Sequence, residues 1–230
     1  ISSHAFSSDD KLINVVLPDG LTEISSSAFY NCNYINKVII PDSVKKIAKD
    51  AFDGSRSAVI CASEGSFAEK YAKNAYEDMS KIKDDKQKAN VVHNYALLLD
   101  TTGKPDEAIS KYMEVLDLNS EHLKTRINLG VMYMNLVPPD VDTALSLFTY
   151  VYNKEKNNFE ANNNLGTAYL RKEDYTNAIL YYKNALKLDS KNNEVRSNLA
   201  RAYAKNGDYD LAKVTYTDLL RENKEDWDAY

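Results

Sequence analysis

The 230-residue sequence predicts an α+β chain built as two solenoids in series, a short-strand array followed by an all-α array of helical hairpins. Two periods predict this. In the first third, an Ile-x-x-x-Ala-Phe signature starts at Ile1, Ile24 and Ile47, at a constant step. In the remainder, paired amphipathic segments recur at steps of 34, 36 and 34, measured from Ala96 to Gly130, Gly166 and Ala200. Neither unit is large enough to bury its own apolar stripe, so each must stack on copies of itself.

Composition narrows the function classes. Hydrophobic residues make up 43% and charged residues 27%, the balance of an ordinary globular chain. The net charge of −5 argues against a dedicated nucleic-acid surface, which is normally basic. No apolar run approaches the roughly 20 residues of a membrane helix, so membrane insertion by this stretch is not expected. Cys32 and Cys61 form neither a disulfide framework nor a metal spacing, and are expected to be buried thiols.

In the first array, Ile1-Ser-Ser-His-Ala-Phe6 returns as Ile24-Ser-Ser-Ser-Ala-Phe29 and as Ile47-Ala-Lys-Asp-Ala-Phe52. Leu12, Val15, Leu17 and Pro18 return as Ile35, Val38, Ile40 and Pro41 at the same offset. The short β-branched runs Val15–Leu17 and Val38–Ile40 each end at a proline and read as one strand per coil. The Ala-Phe pair and Cys32 are expected to fill the interior on the opposite turn. Ile1 stands in the middle of a unit, so further coils are expected upstream. Together these residues resemble the BspA-type leucine-rich repeat family over about residues 1–76. Ala58-Val-Ile-Cys61 followed by Glu64–Asn74 resembles the closing strand and cap helix of such arrays. Phe67, Ala68, Tyr71 and Ala72 supply that helix with an apolar stripe to cover the last coil. The resemblance implies adhesion or protein binding and leans towards a bacterial cell surface. A cytoplasmic setting is the alternative, and the sequence leaves the compartment open.

Residues 77–88 form a junction rich in Lys and Asp. With neither glycine nor proline between Gly65 and Gly103, it is expected to be helical with a short break near Met79–Asp84; a flexible charged linker is the alternative.

The helical part, residues 89–230, holds four aligned units and the start of a fifth at Trp227. Asn128-Leu-Gly130, Asn164-Leu-Gly166 and Asn198-Leu-Ala200 match, with Asn94-Tyr-Ala96 a looser copy. Ala108, Ala144, Ala178 and Ala212 align in the second helices, as do Tyr112, Phe148, Tyr182 and Tyr216. The longer step is accommodated at Val137–Asp140, where insertion costs least. In the third unit Tyr175, Ala178, Ile179, Tyr182, Ala185 and Leu186 share one face, and Gly166 and Ala178 allow close approach. Over about residues 89–224 this resembles the tetratricopeptide repeat, a helix–turn–helix of about 34 residues, and the resemblance implies an all-α superhelix. The apolar face of Tyr209–Leu220 would lack a neighbour at the end of the array, so self-association through that end is expected.

No catalytic constellation is legible. His4, His93 and His122 have no partners at ligand spacing, and no glycine cluster forms a phosphate or dinucleotide loop. No metal or cofactor is expected. Asparagine is the sharper signal. Asn94, Asn128, Asn164 and Asn198 hold one position in all four first helices, although asparagine is a poor residue inside a helix. In the resembled family this position faces the groove. An amide offering both donors and an acceptor suits the backbone of an extended peptide; bonding between repeats is the alternative. The further groove candidates are His93, Lys124, Asn163, Thr167, Arg171, Arg201 and Lys205, with Asn90, Leu97, Ile127 and Val131. The basic carboxylate clamp of chaperone-binding members is not matched, since His93, Leu97, Ile127, Val131, Glu160 and Glu194 stand at its positions.

The sequence therefore predicts a non-catalytic scaffold that binds a protein or peptide on the concave face of residues 89–224. Two alternatives stand beside it. One is a surface adhesin or envelope protein binding through the leucine-rich part, whose strand face carries Asn14, Val16, Lys37 and Ile39. The other is a pair of docking modules from a larger enzyme.

Overall fold

The computed structural model describes residues 1–35, 37–55, 58–78 and 82–228. The chain divides into two compact units, Ile1–Thr125 and Arg126–Tyr230.

In the first unit β1 (Asn14–Val16), β3 (Lys37–Ile39) and β5 (Val59–Cys61) form a parallel sheet in the order β1-β3-β5. Its register pairs Val15 with Val38 and Val38 with Ile60. β2 (Glu23–Ile24) pairs in parallel with β4 (Lys46–Ile47) as a second two-stranded sheet. Asn14 meets Lys37 and Glu23 meets Lys46, the same step that separates Ile1 from Ile24, so the sequence period is the coil. Ile24, Ala28, Phe29, Cys32, Ile35 and Val38 are fully buried between the two sheets. Phe6, Phe29 and Phe52 stack with centroids 5.2 and 5.0 Å apart and nearly parallel planes. Cys32 is buried as expected, whereas Cys61 is half-buried at the sheet end, and burial raises both thiols above their ordinary value.

The tight turn opposite the sheet recurs with the same backbone. His4 and its copy Ser27, then Ser8 and its copy Asn31, hold positive φ between 54 and 59°. The next equivalent of Ser8 and Asn31 is Gly54, φ 78°, where glycine relieves the steric cost of the left-handed region.

α1 (Phe67–Glu77) follows the last strand, with Ala68 in the buried core of the array and Tyr71 packed against it. Ser66 caps it, accepting from the Glu69 amide at 3.1 Å, and Glu69 in turn accepts from the Gly65 amide. Tyr71 continues the aromatic stack beyond Phe52 at 6.2 Å, and its hydroxyl donates to the Lys49 carbonyl. Residues 79–81 of the expected break lie outside the described residues; Ile82–Asp84 are not helical. α2 (Asp85–Thr101) and α3 (Pro105–Leu118) follow as the first hairpin. They bury Ala89, Val92, Ala96 and Leu99 against Ala108, Tyr112 and Val115. The junction and this hairpin thus belong to the same compact unit as the β-array.

α4 (Leu123–Asn135) contains the division between the units. The second unit continues with α5 (Val141–Lys154), α6 (Phe159–Arg171), α7 (Tyr175–Leu188), α8 (Asn193–Asn206) and α9 (Tyr209–Asp228). The helix starts repeat one device. Asp140, Asn158, Asp174 and Asn192 each accept from the amide of the third residue after them, at 2.9–3.1 Å. The small residues of the first helices seat the aromatic residues of the second. Gly130 lies against the buried Phe148 ring and Gly166 against the buried Tyr182 ring. The insertion that lengthens the second step lies in the α4–α5 loop. α9 runs to Asp228 with Trp227 inside it; residues 229 and 230 lie outside the described residues. Tyr209 and Leu220 are 72% and 71% exposed, whereas Tyr175 and Leu186, their equivalents in α7, are half-buried.

Candidate peptide-binding face

The aligned asparagines meet different surroundings. In the first unit, Asn94 on α2 donates from Nδ2 to the Ala58 carbonyl at 2.8 Å. Ala58 immediately precedes β5, so the amide holds an extended segment of its own chain. That bond borders a cavity of about 420 Å³ between α1, α2 and the last coil, floored by Phe52, Ala58, Ile60, Tyr71 and Ala72.

His93, one residue earlier, does not line an open groove. It is 5% exposed, hydrogen-bonded through Nδ1 to Thr125 Oγ1 at 2.7 Å, and its ring packs beside Tyr112 and His122. Burial lowers its pKa to about 3, with smaller contributions from His122 and Lys124. Lys124 is exposed.

In the second unit, Asn128 on α4, Asn164 on α6 and Asn198 on α8 are all half-buried. Asn128 interacts with other protein groups. Asn198 Oδ1 accepts from Arg201 Nη2 at 2.9 Å, one turn along α8. No hydrogen bond involves the Asn164 side chain among the described residues. On the same helix, the Asn163 Oδ1 atom is buried with no partner; Thr167 Oγ1 donates to the Asn163 backbone carbonyl and, its one proton so used, accepts from Tyr182 Oη at 3.0 Å. Arg171 is exposed, and its guanidinium donates to the Met134 carbonyl near the end of α4, where the helix dipole favours a cation. Arg201 and Lys205 are exposed on α8.

The structure thus joins Asn198 to Arg201 and Asn163 to Thr167, and turns His93 inward and Arg171 towards the preceding first helix. Sequence reasoning missed Asn162, fully buried with Nδ2 donating to the Lys156 and Asn158 carbonyls. It also missed the pairing of His93 with His122. One signal for the latter was available: His122, Asn158 and Asn192 are spaced as Gly130, Gly166 and Ala200 are, and both asparagines are helix caps. Ala58 as the partner of Asn94 left no sequence signal.

Among the described residues, no group of three His, Cys, Asp or Glu side chains is placed to hold a metal, and no helix is long and apolar enough to cross a membrane.

Comparison with known proteins agrees with this architecture. The BspA type leucine rich repeat region matches residues 1–96. Tetratricopeptide repeat families match residues 89–122, 139–193 and 169–230. No curated protein matches the chain. Among solved structures, the chain is similar to MamA from Desulfovibrio magneticus, residues 41 to the end, at 20% identity and TM-score 0.60, covering 69% of this chain and 85% of that one. It is similar to BtubC from P. vanneervenii at 18% identity and TM-score 0.62, covering 71% and 74%. A tetratricopeptide repeat protein from Parabacteroides merdae matches at 21% identity and TM-score 0.61, covering 70% and 60%. These identities speak to fold. With the β-coils and the stacked hairpins, the family matches make this chain a BspA-type leucine-rich repeat array followed by tetratricopeptide repeats.

Proposed function

We propose that the chain is a non-catalytic protein-interaction scaffold that captures an extended peptide along α4, α6 and α8 through Asn128, Asn164 and Asn198. The observation that carries this reading is the Asn94–Ala58 bond. At the equivalent position of the first repeat, the same side chain already binds the backbone of an extended segment. Asn164 has no described protein partner for its amide, so a peptide carbonyl and N–H can take that role without breaking an existing bond. Repeat-array scaffolds commonly present such extended surfaces to partners.

The test uses peptides selected from a random library on the intact chain. Each backbone bond contributes about 0.5–1.5 kcal/mol net, so Asn128→Ala with Asn164→Ala should weaken the selected peptides by about 1–3 kcal/mol. Circular dichroism of the double variant should match that of the parent. Unchanged affinity with the fold intact would overturn the reading; an unfolded double variant would make the asparagines structural.

A second reading rests on the β-array. Val16 is 70% exposed and stands in register with the exposed Ile39 and the half-buried Cys61, one apolar row across the sheet. Partner binding there would be abolished by Val16→Asp and untouched by the asparagine variants.

A further inference from the structure

Four side chains of the first unit form one hydrogen-bonded chain between α2 and the start of α4. His93 Nδ1 lies 2.7 Å from Thr125 Oγ1, and Thr125 Oγ1 lies 2.8 Å from His122 Nδ1. His122 Nε2 lies 3.2 Å from Asn90 Oδ1. The Thr125 backbone N–H also donates to His122 Nδ1 at 3.2 Å.

These contacts admit one consistent placement of protons. His122 Nδ1 receives the Thr125 amide proton, so it is unprotonated, and the Thr125 hydroxyl donates to it as well. His122 Nε2 carries its proton and donates to the Asn90 carbonyl oxygen. With the Thr125 proton already used, His93 Nδ1 must be the donor to Thr125 Oγ1. The His122 ring is therefore neutral in a single tautomer; His93 carries a proton on Nδ1, and burial keeps that ring neutral as well.

His122 directly precedes α4 and receives the amide of the third helical residue, which is what Asn158 does for α6 and Asn192 for α8. An asparagine cap does not titrate; this one does. A proton on His122 Nδ1 would point at two donors and place a cation at a helix N-terminus, where the dipole opposes it.

We propose that this chain of side chains is an acid-sensitive latch, which holds the first turn of α4 on α2 at neutral pH and releases it in mild acid. Among the described residues, the groups that act on the two rings include no anion. From α3 the neighbour is the buried Tyr112 ring; on α4 it is Lys124, whose charge acts on both histidines; and His122 adds to the burden on His93. Burial is the largest influence on both and lowers their pKa values. Neutral rings in the folded state, against an ordinary histidine value of about 6.5 when unfolded, contribute stability that is complete above that value. It is lost as the pH falls below about 6.5 towards the folded values. With His93 at about 3, its opening constant rises about twentyfold between pH 7 and pH 5.

The experiment follows hydrogen exchange of the Thr125 amide in the full chain, corrected for intrinsic rates, alongside NMR titration of the histidine rings. The Thr125 protection factor should fall about twentyfold from pH 7 to pH 5, and the His93 ring should stay neutral at pH 5 while folded. In the His93→Asn, His122→Asn variant, where amides replace the ring donors and acceptors, that fall should vanish. A His93 ring that titrates near its ordinary value in the folded protein overturns the latch, and this holds even if the variant does not fold. So does a double variant that loses as much protection on acidification as the natural chain.

Discussion

Phe29→Ala is expected to destabilise the first unit by about 3–5 kcal/mol, the cost of removing a fully buried aromatic side chain and leaving its space unfilled. Phe29 is 0% exposed and lies between two near-parallel rings, Phe6 and Phe52. Its loss removes the large hydrophobic area and also both stacking contacts, each worth about 0.5–1.5 kcal/mol beyond area. The neighbours cannot close the gap readily. Their spacing is set by coils whose sheets and turns are hydrogen-bonded from one repeat to the next; the Phe29 amide itself donates to Ala51 and the Phe6 amide to Ala28. Phe6→Ala is the matched comparison. Phe6 is 38% exposed and has one stacked neighbour, so its removal should cost less than half as much. Urea unfolding monitored by far-ultraviolet circular dichroism gives both values. Equal costs for the two variants would show that the stack is not the interior of the array.

The second large effect is expected at Tyr182 and the glycine beneath it. Tyr182→Ala should cost about 3–5 kcal/mol in the second unit, since the ring is fully buried and its hydroxyl is bonded to Thr167. Gly166→Ala is the more discriminating change. In a helix interior alanine is normally better than glycine by about 1 kcal/mol. Here the added Cβ would stand 2.7 Å from two ring carbons of Tyr182. The ring is fully buried, so overpacking should win and destabilise by about 1–3 kcal/mol. When Tyr182 is already alanine, the clash is gone and Gly166→Ala should become neutral or stabilising. That reversal of sign in a double-mutant cycle is the measurement. Additive costs would contradict the close seating of ring on glycine. Gly130 and Phe148 repeat the arrangement one unit earlier, where a Cβ would also run into the ring, and should behave alike.

Much of this is legible in the sequence alone. The Ala-Phe pairs that recur at Phe6, Phe29 and Phe52 are the stacked interior of the coils, and Gly130 and Gly166 are the seats of the second-helix aromatic residues. The candidate site was less legible. Four asparagines in register look equivalent in sequence, yet Asn94 is bonded to Ala58, Asn198 to Arg201, and Asn164 to no described protein group. His93 read as a groove residue because its helical phase is that of Ile127 and Asn163, and phase is all that spacing encodes. Its burial depends on Tyr112 from α3 and on His122 and Thr125 from the start of α4.

The sequence by itself determined the two periods, the order of the arrays, and the residues that fill their interiors. A repeat must bury the same stripe in every copy, so its apolar positions recur at the pitch of the structure. Only the tertiary structure decided what the polar residues do. A hydrogen bond needs a partner within about 3 Å in a particular direction. For Asn94 that partner is a carbonyl at the end of the other array, 36 residues away, and for His93 a hydroxyl 32 residues on. The Asn94 pair does not follow from a repeat because on that side the first helical hairpin packs on a β-coil rather than on a copy of itself; the His93 pair does not because its equivalents one repeat on are Ile127 and Ala161, which have no side-chain donor or acceptor.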